Sequence, residues 1–158
     1  MSWKNLFSGR TLPPRGASMS YSLPELSGAK LKEFFDAAFM EASLDSDGDV
    51  MVNTPLRVSI MAQPDKGFLK CLTLFGVNAE LEKILEFCNR FNRDFILCRC
   101  SVAENRDSDG DWRIVFDYDR FMLPDETISP KTIVLLVRRF TEIVNGGIQR
   151  VDDDGLFG

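Results

Sequence analysis

The stretch from Asn105 to Phe121, NRDSDGDWRIVFDYDRF, constrains the fold of this chain more than any other stretch. It joins an acidic turn, DSDGD, to a segment in which aromatic and apolar residues alternate with charged ones. Alternation with a period of two places the two sets on opposite faces of a β-strand. The stretch therefore predicts a half-buried antiparallel strand that follows a tight turn.

The same turn sequence occurs a second time, from Asp45 to Asp49, and again runs into apolar residues, which begin at Val50. Glycine accepts the positive φ that such turns need, and Asp side chains bond nearby backbone N–H groups. Both copies are therefore interpreted as hairpin turns, and we expect two parts of one sheet to begin after them.

Helical spacing of apolar residues behind a capping residue predicts three helices: Ser27 to about Ala42, Asn78 to about Phe91, and Ser129 to Gly146-Gly147. Five segments read as strands: Val50–Asn53, Leu56–Ala62, Phe68–Phe75, Phe95–Val102 and Trp112–Leu123. The order is α-β-β-β-α-β-β-α, and the connections are too short for parallel crossovers. We predict an α+β fold with an antiparallel five-stranded sheet and helices on one face.

Composition limits the functional classes. The chain has 158 residues, of which 44% are hydrophobic and 27% charged, as expected for a single globular domain. Its net charge of −5 gives no basic surface for nucleic acid. No apolar run approaches the roughly 20 residues of a membrane span, and the N-terminus lacks the apolar core of a secretory signal. We therefore expect a cytoplasmic protein.

Three regions are predicted along the chain. Residues 1–26 contain three prolines among glycines and serines, which predicts a flexible N-terminal arm that docks on the domain, on a partner or on a membrane surface, or remains mobile. Residues 27–147 form the single α+β domain. Residues 148–158 are predicted to be a solvated acidic tail because three consecutive aspartates follow Val151.

The residues that usually carry catalysis are sparse. The chain has no His, and its four cysteines fall inside predicted elements, as buried thiols do: Cys71, Cys88, Cys98 and Cys100. Without His or a CxxC pair a zinc site is disfavoured, and no cofactor is predicted. Asp117 and Asp119 share a strand face and could pair as acid and base, but an exposed charged face is commoner. We predict that the chain is not an enzyme.

The acidic turns also allow a calcium interpretation. Alternate acidic residues followed by glycine match the first half of an EF-hand loop, but Thr54 and Phe116 occupy the position of the bidentate Glu. We predict no metal site. The weaker alternative is a calcium or small-molecule sensor that uses the two turns, with ligands from Asp45, Asp47, Asp49, Asp107, Asp109 and Asp111.

Three motifs in this order carry a resemblance: DSDGDVMV at Asp45–Val52, NRFN at Asn89–Asn92, and the strand, Ser-Pro and helix from Trp112 to Val144. With them the chain resembles the YbjN-domain family of bacterial sensory transduction regulators, whose fold is similar to that of type III secretion chaperones. The resemblance covers about Leu26 to Gly147. It implies a non-catalytic homodimer that binds a protein partner of unknown identity, and it lends no catalytic or ligand-binding residues.

A docking surface is predicted from surplus apolar strand faces. The strands Phe68–Phe75 and Phe95–Val102 are apolar on both sides, whereas the helices can cover only one face of the sheet. A one-residue shift exchanges the faces, but Lys70 and Arg99 need water, so their face is predicted to be the outer one. The partner or dimer surface is then Phe68, Leu72, Leu74, Phe95 and Leu97. Alternatively, the N-terminal arm or a bend in the sheet covers these side chains within the monomer.

Overall fold

The computed structural model describes residues 19–104 and 111–157. Its elements, in chain order, are β1 (Tyr21–Ser22), α1 (Gly28–Ala37), β2 (Glu41–Leu44), β3 (Val50–Asn53), β4 (Arg57–Gln63), β5 (Phe68–Val77), α2 (Leu81–Asp94), β6 (Arg99–Glu104), β7 (Trp112–Phe121), β8 (Thr127–Ile128) and α3 (Pro130–Val151). Six strands form an antiparallel sheet in the order β2-β3-β4-β5-β7-β6, and β1 pairs with β8 separately. The predicted α+β class with an antiparallel sheet is confirmed.

The three helices pack on one face of the six-stranded sheet, which we call the inner face. Helix α1 contacts β2 and β3, α2 contacts β6 and β7, and α3 contacts β4 and the other two helices. The Phe116 ring of β7 lies at the centre of this core, 4.9 Å from the Phe91 ring of α2. The predicted caps Ser27 and Ser129 are confirmed, because each hydroxyl accepts a hydrogen bond from the backbone N–H three residues later.

The prediction of five strands was wrong, because the first helix is shorter than the segment in which apolar residues recur at helical spacing. Helix α1 ends at Ala37, and Phe39 adopts a φ of 57°, which turns the chain out of the helix. The next residues form the edge strand β2, which pairs with β3 across the turn from Asp45 to Asp49. A hairpin turn needs a strand on both sides, and the helical spacing of α1 extends over the residues that form the strand before this turn.

The region between α2 and β7 also differs from the prediction. Phe95 caps the C-terminus of α2 and stacks on Phe91 at 4.8 Å, and β6 begins only at Arg99. Helix α2 starts at Leu81 and not behind an Asn78 cap. Its buried residues are Ile84, Phe87, Cys88 and Phe91, whereas Leu81 and Leu85, which share the helical spacing of Ile84 and Cys88, are 37% and 42% exposed. Two overlapping helical stripes fit the sequence, and the one containing Phe87 is buried.

Helix α3 continues through the two glycines that were predicted to end it, as far as Val151. Gly147 is buried against the Phe91 ring, and a Cβ at this position would lie within 3.0 Å of the ring atoms Cδ2 and Cζ. The glycine therefore permits the close approach of α3 and α2, and is not a helix terminator.

Part of each predicted terminal region packs on the domain. Leu23 and Leu26 are buried, and Tyr21 lies 5.0 Å from the Phe34 ring of α1. At the other end, the Phe157 ring lies 5.2 Å from that of Phe75. Residues 1–18 of the predicted arm lie outside the described residues.

Candidate functional site: the outer face of the sheet

The face opposite the helices, which we call the outer face, consists of alternate residues of each strand. Register shows which side chains share it: Lys70 pairs with Asp119, and Leu72 pairs with Asp117. Its apolar side chains are half-buried or exposed, with Leu74 48% and Phe121 73% exposed. The apolar set on this face is Met51, Met61, Phe68, Leu72, Leu74, Val115 and Phe121.

The structure divides the predicted docking residues into two groups. Phe68, Leu72 and Leu74 lie together on β5 and face outward, on the same side as Lys70. Phe95 and Leu97 precede β6, so strand alternation does not place them on this face. Phe95 packs against the core, and Leu97, 67% exposed, lines a small apolar cavity beside Phe140 of α3.

Four outer-face residues were missed by the sequence analysis: Met51, Met61, Val115 and Phe121. Val115 lies opposite Leu74, and Phe121 lies opposite Phe68 with ring centroids 5.8 Å apart. Met61 lies opposite Lys70, and Met51 lies one strand further away, opposite Ser59. The alternation of side chains within β7 is visible in the sequence and places Val115 and Phe121 on one face of that strand. Identifying the rest required the order of the strands, which local sequence does not encode.

A buried carboxylate lies on the outer face, on β7, the strand next to the edge strand β6. Asp117 on β7 is 5% exposed. Its Oδ2 accepts a hydrogen bond of 2.9 Å from Lys70 Nζ, and its Oδ1 accepts one of 2.9 Å from Arg99 Nε. Arg99 Nη2 also contacts Oδ2, so the guanidinium holds the carboxylate with two nitrogens. Lys70 Nζ reaches Asp119 Oδ1 at 2.7 Å. The cluster spans three adjacent strands, β5, β7 and β6.

The neighbouring charges determine the protonation states in this cluster. Burial acts to raise the pKa of Asp117, but the hydrogen bonds from Arg99 and Lys70 outweigh it, so the pKa lies below its ordinary value. Burial acts to lower the pKa of Lys70, and its bonds to Asp119 and Asp117 raise it above the usual range. All the charges are therefore compensated within the sheet.

This arrangement favours recognition over acid–base chemistry. A general acid or base needs a pKa near the working pH, whereas Asp117 is held as an anion by two cations. The outer face therefore combines a partly exposed apolar surface with a buried, paired ion cluster.

The first acidic turn is a hydrogen-bonded hairpin turn. Asp45 Oδ1 accepts bonds of 2.9 Å from the N–H groups of both Asp47 and Asp49, and Gly48 has a φ of 82°. Burial, with Asp45 and Asp47 nearby, raises the pKa of Asp49. Across residues 19–104 and 111–157, no three acidic, Cys or His side chains come together as metal ligands. Asp107 and Asp109 of the second turn lie outside the described residues.

Comparison with models of protein families assigns the chain to a family. The model of the YbjN family, described as "Putative bacterial sensory transduction regulator", matches residues 27–152. The chain belongs to the YbjN family. This match includes both the outer-face cluster and all three helices. That description names a regulator.

One solved structure agrees with this membership at the level of the fold. The chain is similar to the crystal structure of YbjN, "a putative transcription regulator from E. coli", with a TM-score of 0.63 at 10% identity over 81% of this chain and 93% of that one. An uncharacterized protein from Methanothermobacter thermautotrophicus aligns with a TM-score of 0.49 at 14% identity, over 84% and 100% of the two chains. No curated protein matches.

No helix among the described residues combines the length and apolar composition that crossing a membrane requires.

Proposed function

We propose that this YbjN-family chain is a non-catalytic regulatory adaptor that acts through protein–protein contact, with the outer face as its binding surface. The observation that carries the proposal is the distribution of apolar side chains: the helices pack on the inner face, and an apolar set that includes Leu74 and Phe121 lies on the other. Apolar patches of this kind on a folded domain mark interaction sites.

The first occupant we propose is a second copy of the chain, which gives a homodimer. Six strands about 4.8 Å apart, with a mean length near 22 Å, form a face of roughly 650 Å². That area is of the same order as the roughly 800 Å² per partner of a standard interface. The same face on two copies makes a self-complementary contact, as two-fold dimers require.

A capture experiment tests the regulatory role. The wild-type chain, an outer-face variant with Leu74→Asp and Phe121→Asp, and a control with Leu85→Asp are used as bait in cell extract. Leu85 is a matched control because it is 42% exposed, close to the 48% of Leu74, and lies on α2 among the helices. A partner retained by the wild type and the control but lost by the outer-face variant supports the proposal. A partner retained equally by all three contradicts it.

A small-molecule sensor is the second candidate function. The observation that favours it is a cavity beside Phe39, and not the two acidic turns. Phe39, between α1 and β2, is 98% exposed despite its strained backbone. Its side chain lines a cavity of about 410 Å³, which is also lined by Arg138 of α3, Asn53 and Asn145. This volume lies within the range of ligand pockets. A planar aromatic carboxylate could stack on Phe39 and pair with Arg138.

Titration with benzoate, and with neutral benzamide as its control, tests this candidate by NMR. We expect saturable shifts at Phe39 with benzoate that Arg138→Gln abolishes. Equal shifts with benzamide, or none at millimolar benzoate, would exclude the anion site.

A further inference from the structure

Two buried thiols from different elements lie in contact outside the outer face. Cys88 on α2 and Cys100 on β6 have their Sγ atoms 3.3 Å apart. The two residues are 5% and 2% exposed, respectively. Since a disulfide has an S–S distance of about 2.05 Å, bond formation requires an approach of roughly 1.2 Å. Rotation of one or both side chains can supply a movement of this size.

The backbone holds the two thiols in this position. Asn92 lies one helical turn after Cys88, and its side chain bonds the backbone of Cys100 twice. Nδ2 donates to the Cys100 carbonyl at 2.8 Å, and Oδ1 accepts from the Cys100 N–H at 2.7 Å. The strand at Cys100 is therefore fixed to the helix that carries Cys88, which keeps the effective concentration of one thiol beside the other high.

The contact also makes the two sulfurs unequal. The Cys100 thiol donates its hydrogen bond to Cys88, and this bond lowers the pKa of Cys88. The same bond, together with burial, raises the pKa of Cys100. Because the thiolate is the nucleophile, Cys88 is the sulfur expected to react first.

We propose that Cys88 and Cys100 are a site of reversible oxidative modification that hydrogen peroxide converts to a disulfide joining α2 to β6. The Cys88 thiolate attacks one peroxide oxygen and the O–O bond breaks, which gives a Cys88 sulfenic acid and, after protonation, water. The Cys100 sulfur then attacks the sulfenic sulfur, its proton leaves with the hydroxyl group, and a second water forms. Two electrons pass from the two sulfurs to the peroxide.

Peptide mapping of the folded full-length chain tests this proposal. After peroxide treatment and quenching, free thiols are alkylated in denaturant, and trypsin separates all four cysteines because cleavage after Arg99 divides Cys98 from Cys100. We expect loss of two of the four alkylatable thiols, a linked pair of the peptides Ile84–Arg90 and Cys100–Arg106, and full reversal by dithiothreitol. The exposed Met19, whose sulfoxide shows that oxidant was present, is an internal control.

Two variants make the test specific. Cys88→Ser should lose the linked peptide, whereas Cys71→Ser, whose thiol is also buried, should retain it. Four alkylatable thiols in the wild type at a dose that oxidises Met19 would overturn the proposal. A linkage between any other pair of cysteines, or between two chains, would overturn it as well.

Discussion

Asp117 is the residue on which the charge balance of the outer face depends. Its carboxylate is buried between Lys70 and Arg99, and both cations would lose a partner if it were neutral. Such a residue contributes to stability only while it is ionised. The sequence suggested Asp117 as an exposed strand aspartate, because the cations that surround it come from β5 and β6, far along the chain.

We predict that Asp117→Asn lowers the free energy of unfolding by about 2 kcal/mol at pH 7, the range of hydrogen bonds to charged groups. The folded pKa of Asp117 lies below the unfolded value of about 4. Its contribution is therefore present above pH 4 and is lost as the pH falls through the folded pKa. Urea unfolding at pH 7 and pH 3 should show the difference between wild type and variant shrinking at the lower pH.

The exposed Asp65→Asn serves as the control, with a change below about 0.5 kcal/mol at either pH. A deficit of Asp117→Asn that is as large at pH 3 as at pH 7 would mean that packing, and not charge, explains its role.

At the scale of elements, the sequence predicts what local patterns encode. The caps of α1 and α3 and the strands β3 to β5 lie within about two residues of the prediction, because capping residues, turns and alternation are local signals. The strand β2 was missed because Phe39 and Ala42 continue the helical period of α1. Only pairing with β3 decides between the two structures, and pairing is a tertiary interaction.

The two glycines of α3 illustrate the same limit, because the sequence Gly146-Gly147 does not show that the two residues have different surroundings. Gly147 faces the Phe91 ring, whereas a Cβ at Gly146 would meet no heavy atom within 4 Å. We predict that Gly146→Ala stabilises the protein by about 0.5–1 kcal/mol through helix propensity. Gly147→Ala should destabilise it by about 1–3 kcal/mol through overpacking. Thermal and urea unfolding of the two variants check this contrast, and equal effects would show that α3 does not pack as described.

At the scale of the whole molecule, the placement of the helices leaves the outer face available to a partner. The sequence predicted that one sheet face would be left over and that Lys70 marks it. It could not supply the neighbours of β5, because strand order joins residues as distant as Met51 and Phe121 on one surface.

Sedimentation velocity over a range of concentrations tests the self-association claim most directly. We predict that the wild type sediments as a dimer at micromolar concentration, because the outer face of each copy then leaves water. Leu74→Asp with Phe121→Asp should sediment as a monomer that still unfolds cooperatively, and Leu85→Asp should remain dimeric. A wild type that stays monomeric, or an outer-face variant that stays dimeric, would contradict the claim that this face is the interaction surface.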